Sequence, residues 1–178
     1  MNEVMEDVDH LSKLVNELLA FSRAGLKSNT VRLEKIDMLP VVQAAVKREG
    51  TPAVTIITKI DPEIHVVASA ELLTRALANL IRNAVKYAGN AGPIDISAEQ
   101  RVNVVEIEVI DSGPGVPEDL LAQLFEPFFR PEASRDRYSG GVGLGLAIVK
   151  TCVETCNGTV YAYNRKPNGF AVTITLNT

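Results

Sequence analysis

The chain has 178 residues, 46% of them apolar, with 18 Lys and Arg against 22 Asp and Glu and a formal charge of -4. That length accommodates one well-buried domain and a short appendage, but not two full domains. The acidic balance, without any Lys/Arg block, excludes a nucleic-acid surface as the main partner. No apolar run approaches the roughly 18 residues of a bilayer span, and an acidic N-terminus excludes a secretory signal.

Residues 1–26 read as a unit of their own. Val4, Val8, Leu11, Val15 and Leu18 follow a heptad seam that Met5, Leu14 and Leu19 widen, so this long helix must bury a stripe against another helix, such as that of a second copy. His10 falls outside the seam, and residues 27–30 read as a linker.

From residue 31 to 178 strands and helices alternate. The pattern predicts a strand over 31–36, a helix over 38–49 and a strand over 54–60, bounded by Pro52 and Asp61-Pro62. A strand-like stretch containing His65 leads into a helix over 70–88, with Ser69 as N-cap and Gly89 as stop. Leu73, Leu77, Leu80, Ile81, Ala84 and Ala88 recur on one face of that helix. Asn79, Asn83 and Lys86 form a second stripe beside it. Asn is a poor helix former because its side chain competes for backbone hydrogen bonds. The stripe is therefore either an ordinary polar helix edge or a place where amide oxygens ligate a hard cation and an ammonium meets a phosphate.

Three segments then alternate with period two: Ile94, Ile96, Ala98; Val105, Ile107, Val109; and Phe170, Val172, Ile174, Leu176. Polar residues fill the gaps, which predicts a sheet with one dry and one wet face, covered by helices on one side. Asn168-Gly169 predicts a hairpin between 160–163 and the last strand. The architecture expected is α+β, a two-layer α/β sandwich. Cys152 and Cys156, four apart on a helix, suit buried reduced thiols rather than a disulfide or a metal site.

Between Asp111 and Gly145 periodicity fails, the habit of a functional segment. At its start, DSGPGVP follows the strand VVEIEVI. Gly113 and Gly115 permit a sharp turn, and Asp111 sits at the strand end with its carboxylate free. This is either a plain strand exit or an acceptor for an exocyclic amine such as that of adenine. At its end, GGVGLGLAIVK runs into an apolar helix, leaving backbone amides at a helix N-terminus that favours phosphate. The spacing of Gly141, Gly143 and Gly145 is G-x-G-x-G after a non-strand segment, which excludes a Rossmann site, and no phosphate-loop pattern is present.

Taken together, NLIRNAVKYA, DSGPGVP, LFEPFFR and GGVGLGLAIVK resemble, in order and spacing, the N box, first glycine box, phenylalanine box and second glycine box of the ATP-binding domain of sensor histidine kinases. That family shares the Bergerat fold of a superfamily that includes DNA gyrase. The resemblance implies a mixed sheet backed by three helices, with ATP and Mg²⁺ as cofactors. By position, Asn83 ligates Mg²⁺, with Asn79 as second ligand or support, and Lys86 and Tyr87 reach the phosphates or ribose. Asp111 receives the adenine amine over Gly113 and Gly115, beside Val116. Gly141, Gly143 and Gly145, with Val142, Leu144 and Leu146, hinge an ATP lid over about 112–141 and contact the phosphates. Phe125 and Phe128 anchor the lid, and Arg130 approaches the γ-phosphate, with Arg135 and Arg137 as rivals.

The N-terminal helix, ending in LLAFSR, is similar to the second helix of the family's dimerisation and phosphoacceptor hairpin. The first helix, with its acceptor His, is not in the sequence. His10 and His65 lack the acidic residue that follows such a His. Asn79 also stands where gyrase-type ATPases carry a water-activating Glu, so direct hydrolysis should be slow. The resemblance thus implies an ATP-dependent protein-histidine kinase fragment that serves a response regulator and dimerises through residues 1–26. Its parent would be tethered to the inner membrane with this part in the cytoplasm. The other readings are an ATPase or protein-serine kinase of the same fold, or a non-catalytic nucleotide-sensing module.

Overall fold

The computed structural model describes residues 31–88, 91–131 and 142–178. The expected helix over 1–26, the linker and Gly89 lie outside the described residues. The first strand, β1 (Glu34–Asp37), pairs antiparallel with β3 (His65–Ala68), Glu34 opposite Ala68 and Asp37 opposite His65. It starts later than the predicted 31–36 because β3 offers partners only to residues 34–37. Val31 and Leu33 instead pack, half-buried, against the core.

Helix α1 (Met38–Glu49) has the predicted bounds and buries Met38, Val41, Val42 and Ala45, a three-and-four spacing on one face. It stops at Gly50, whose amide returns to the Val46 carbonyl at 2.8 Å. Strand β2 (Ile56–Lys59) is shorter than predicted. Val54 is held in a turn instead, its amide donating to the Thr51 carbonyl at 3.1 Å.

Helix α2 (Ala70–Ala88) is the central element and matches the sequence reading. Ser69 caps it: the hydroxyl accepts the Leu72 amide at 3.4 Å and the carbonyl accepts the Leu73 amide at 2.9 Å. Leu73, Leu77 and Ile81 are fully buried, and each such side chain contributes about 1.5–3 kcal/mol by leaving water. One flank of α2 packs on α1 and the other on α3 (Gly145–Thr155), while its buried face lies over the sheet.

That sheet contains β2, β4 (Ile94–Gln100), β5 (Val104–Asp111), β6 (Thr159–Asn164) and β7 (Phe170–Asn177), in the order β2-β4-β5-β7-β6. Only β2 and β4 run parallel, so the sheet is mixed, as expected. Ile94, Ile96, Val105, Ile107, Val172 and Ile174 form its dry face under the three helices. The opposite face is less wet than alternation predicts, because Ala171 and Thr173 are buried there too. Glu108 draws its neighbours together: its Oε1 accepts the Tyr163 hydroxyl at 2.6 Å and the Thr173 hydroxyl at 3.1 Å. That bond to Glu108 also pushes the Tyr163 hydroxyl up to about 12.

The predicted β6–β7 hairpin is present, closed by the Arg165 amide on the Gly169 carbonyl at 2.9 Å. Cys152 on α3 and Cys156, just after its end, are free and buried, as the sequence suggests. Burial pushes Cys152 up to about 12, where it is an unreactive thiol.

Candidate functional site

The stripe on α2 faces a cavity of about 310 Å³. Asn79, Arg82, Asn83, Lys86 and Tyr87 form its helix wall. The end of β5 and the turn after it supply the opposite wall, from Asp111 through Gly113, Pro114, Gly115, Val116 and Pro117. Leu124, Phe129, Arg130 and Pro131 close one side, and Gly143, Gly145 and Leu146, at the start of α3, close another. Residues that are sixty positions apart in sequence thus meet because α2, α3 and the C-terminal end of β5 adjoin.

Each wall is held in place by identifiable contacts. Asn83 lies against the first turn of α3, where a Cβ on Gly145 would come within 3.3 Å of its carboxamide. Asn79 is 5% exposed and already engaged: its Nδ2 donates to the Arg75 carbonyl at 2.8 Å, and Arg82 donates to its Oδ1 at 3.5 Å. Arg82 in turn makes a bidentate pair with Glu49 at the end of α1, at 3.0 and 2.8 Å. Lys86 Nζ stands 3.1 Å from the Tyr87 hydroxyl and 4.7 Å from its ring centre, so the two side chains brace one another.

The Asp111 carboxylate is not free, as the sequence reading had it. Its Oδ1 accepts the Gly113 amide at 2.8 Å, which folds the turn back on the strand, and the Phe170 amide also serves it. Burial pushes its pKa above 3.8, and the two amides restrain that rise. A Cβ on Gly113 would fall 2.8 Å from Ala88 Cβ, so this turn reaches α2 only as glycine.

Of the sequence-predicted residues, the cavity gathers Asn79, Asn83, Lys86, Tyr87, Asp111, Gly113, Gly115, Val116, Arg130, Gly143, Gly145 and Leu146. Four others stand elsewhere. Phe128 is 60% exposed with φ +67, because its amide donates to the Gly143 carbonyl and that link turns its side chain outward. Phe129 takes the wall position, while Phe125 packs half-buried on the core. Leu144 is fully buried, and Val142 packs against the core instead of the cavity. Gly141, Arg135 and Arg137 lie outside the described residues.

The sequence reading missed Arg82, Phe129 and Phe170. Arg82 sits three residues after Asn79 and four before Lys86, so helical spacing alone carried the signal. Phe170 carried none, since strand alternation assigns it to the core. His65 gains through strand pairing the acidic neighbour that its sequence lacks, Asp37 Oδ1 at 2.8 Å from Nδ1, yet it does not line the cavity.

A half-buried acceptor on a glycine turn, faced by amides and cations on a helix and by a glycine-opened helix start, defines the nucleotide-binding class of two-layer α/β domains. Residues 68–178 match the family described as Histidine kinase-, DNA gyrase B-, and HSP90-like ATPase, and the chain belongs to that family. Within it, the chain is similar to sensor histidine kinases. It is 33% identical to the signal transduction histidine-protein kinase BaeS of Escherichia coli strain K12, over 96% of this chain and 37% of BaeS. The mycobacterial sensor histidine kinase MprB has a structure that superposes with a TM-score of 0.73 at 29% identity, covering 81% of this chain and 97% of that one. Full-length ShkA in complex with AMPPNP superposes at 0.79 with 28% identity, covering 98% of this chain and 37% of ShkA. The chain spans less than half the length of the curated relatives it matches.

Proposed function

We propose that the cavity holds Mg-ATP and that the chain is the catalytic part of a kinase that phosphorylates a histidine on a helix hairpin. The observation that carries this reading is the convergence of Asp111, the Asn83 carboxamide and the Lys86 ammonium on one cavity. The Asp111 carboxylate accepts a hydrogen bond from the adenine amine and repels the carbonyl that guanine presents there. Lys86, Arg82 and Arg130 surround the rest of the cavity with positive charge suited to a triphosphate.

The residues present also fit Mg²⁺. Asn83 offers an amide oxygen beside the start of α3, which suits an ion that keeps several waters and takes further ligands from phosphate. Asn79, tied to Arg75 and Arg82, suits support of Asn83 better than direct ligation. When bound, Mg²⁺ would neutralise charge on the phosphates.

An acceptor imidazole nitrogen then forms a bond to the γ-phosphorus as the bond to the β–γ bridging oxygen breaks and ADP leaves. Positioning and charge supply most of what this step requires. Asn79 offers no base to activate water, so transfer is favoured over hydrolysis. The phosphoryl group passes on to a response regulator, the kinase dimerises through residues 1–26, and the parent protein is tethered to the inner membrane. Among the described residues no helix is long and apolar enough to cross a membrane.

Calorimetry with Mg-ATP tests the site. The chain should bind it, and Asn83→Ala should weaken binding in Mg²⁺ more than in EDTA. Equal loss in both conditions would remove Asn83 as the ligand, and no binding by the unmodified chain would remove the reading.

A further inference from the structure

Asn164, the last residue of β6, is no part of the cavity wall, but its carboxamide grips the backbone of the turn that is. Its Oδ1 accepts the Val116 amide at 2.9 Å, and its Nδ2 donates to the Val116 carbonyl at 2.6 Å and to Glu118 Oε1 at 3.1 Å. One side chain thus satisfies both backbone groups of a residue that belongs to no strand, as a neighbouring strand would. Gly115 makes the grip possible. Its φ is +77, and a Cβ there would fall 2.5 Å from Asn164 Oδ1, closer than atoms can approach. On its other side Asn164 pairs with Phe170, whose amide serves Asp111 and which itself lines the cavity.

Asn164 therefore links the two parts of the wall opposite α2: the acceptor Asp111 and the turn at residues 113–116. We infer that Asn164 is a positioning residue for the base of the nucleotide, fixing the turn relative to Asp111 and so the width of the slot between them. The inference rests on the cavity being an ATP site. The groups assigned to Mg²⁺ and to the phosphates, Asn83 and Lys86, belong to α2 and do not depend on this grip.

The experiment compares the unmodified chain, Asn164→Ala and the isosteric Asn164→Asp. Calorimetric affinities are measured for ATP, GTP and magnesium tripolyphosphate, with NMR exchange of the Val116 amide. Asn164→Ala should weaken ATP about tenfold, as loss of a hydrogen-bonded support does. It should also narrow the preference for ATP over GTP, leave tripolyphosphate unchanged and deprotect the Val116 amide. Asn164→Asp keeps the acceptor but loses the donor and faces Glu118. It should show the same pattern, and adding Glu118→Gln should restore part of the ATP affinity. If Asn164→Ala does not fold, the Asp variant, equal in volume, decides the matter.

Equal losses for ATP and tripolyphosphate would mean a general structural role and overturn the inference. So would unchanged ATP affinity with a deprotected Val116 amide. Failure of the unmodified chain to bind ATP would overturn the reading of the cavity, and this inference with it.

Discussion

At Asp111, burial and function oppose each other. Burial raises its pKa above 3.8, so the folded chain holds this proton more tightly than the unfolded one. The stability contributed by this group is therefore full below 3.8 and lost as pH rises through the higher folded value. Adenine recognition requires the ionised form, so ATP affinity should fall as pH is lowered through that same value. Asp111→Asn should weaken ATP by about 1–3 kcal/mol at neutral pH, the scale of a charge-assisted hydrogen bond, and should flatten both pH dependences. Calorimetry and urea unfolding across this acid range check the three statements together. A mutant with native ATP affinity, or with the native acid slope, contradicts the role of this carboxylate.

Between elements, the contacts that shape the cavity are few and separable from those that hold the fold. Arg82 ties α2 to the end of α1 through Glu49, but its side chain is 42% exposed. Arg82→Ala should therefore cost only about 1 kcal/mol of stability in urea unfolding. A loss several times larger would mean that the pair carries the α1–α2 interface in place of Met38, Val42 and Ala45. Gly145 is the complementary case. Alanine there favours the first turn of α3, but its Cβ would press the Asn83 carboxamide at 3.3 Å. Gly145→Ala should leave the unfolding midpoint unchanged or slightly raised while weakening Mg-ATP by about 1 kcal/mol, the scale of one displaced polar contact. Native Mg-ATP affinity in a folded Gly145→Ala would show that the contact between α2 and α3 does not set the Asn83 position.

For the whole molecule, the expected behaviour with γ-labelled ATP is binding without self-labelling. His65 lies on β3 away from the cavity wall, and His10 lies outside the described residues. Addition of a separately made acceptor hairpin should yield acid-labile label on the hairpin alone. Label on the chain itself would make one of its own histidines an acceptor. No label on a hairpin that demonstrably associates would favour a nucleotide-sensing module.

What the sequence determined by itself was whatever depends on neighbours along the chain. Helical spacing put Leu73, Leu77 and Ile81 on one face of α2 and Asn79, Asn83 and Lys86 on the next, and glycines marked the turn after β5 and the start of α3. Tertiary structure alone decided what depends on partners far away. Asn164 reaches Val116 across 48 positions, Arg82 finds Glu49 across 33, and Phe170 meets Asp111 only through the β5–β7 register. It also decided that Phe129 rather than Phe128 faces the cavity, because the Gly143 carbonyl captures the Phe128 amide. The physical reason is that helix periodicity and turn chemistry are fixed by dihedral preferences a few residues long. A side chain's partner across the sheet is fixed only when two strands settle into register, and each strand taken alone is equally consistent with several neighbours.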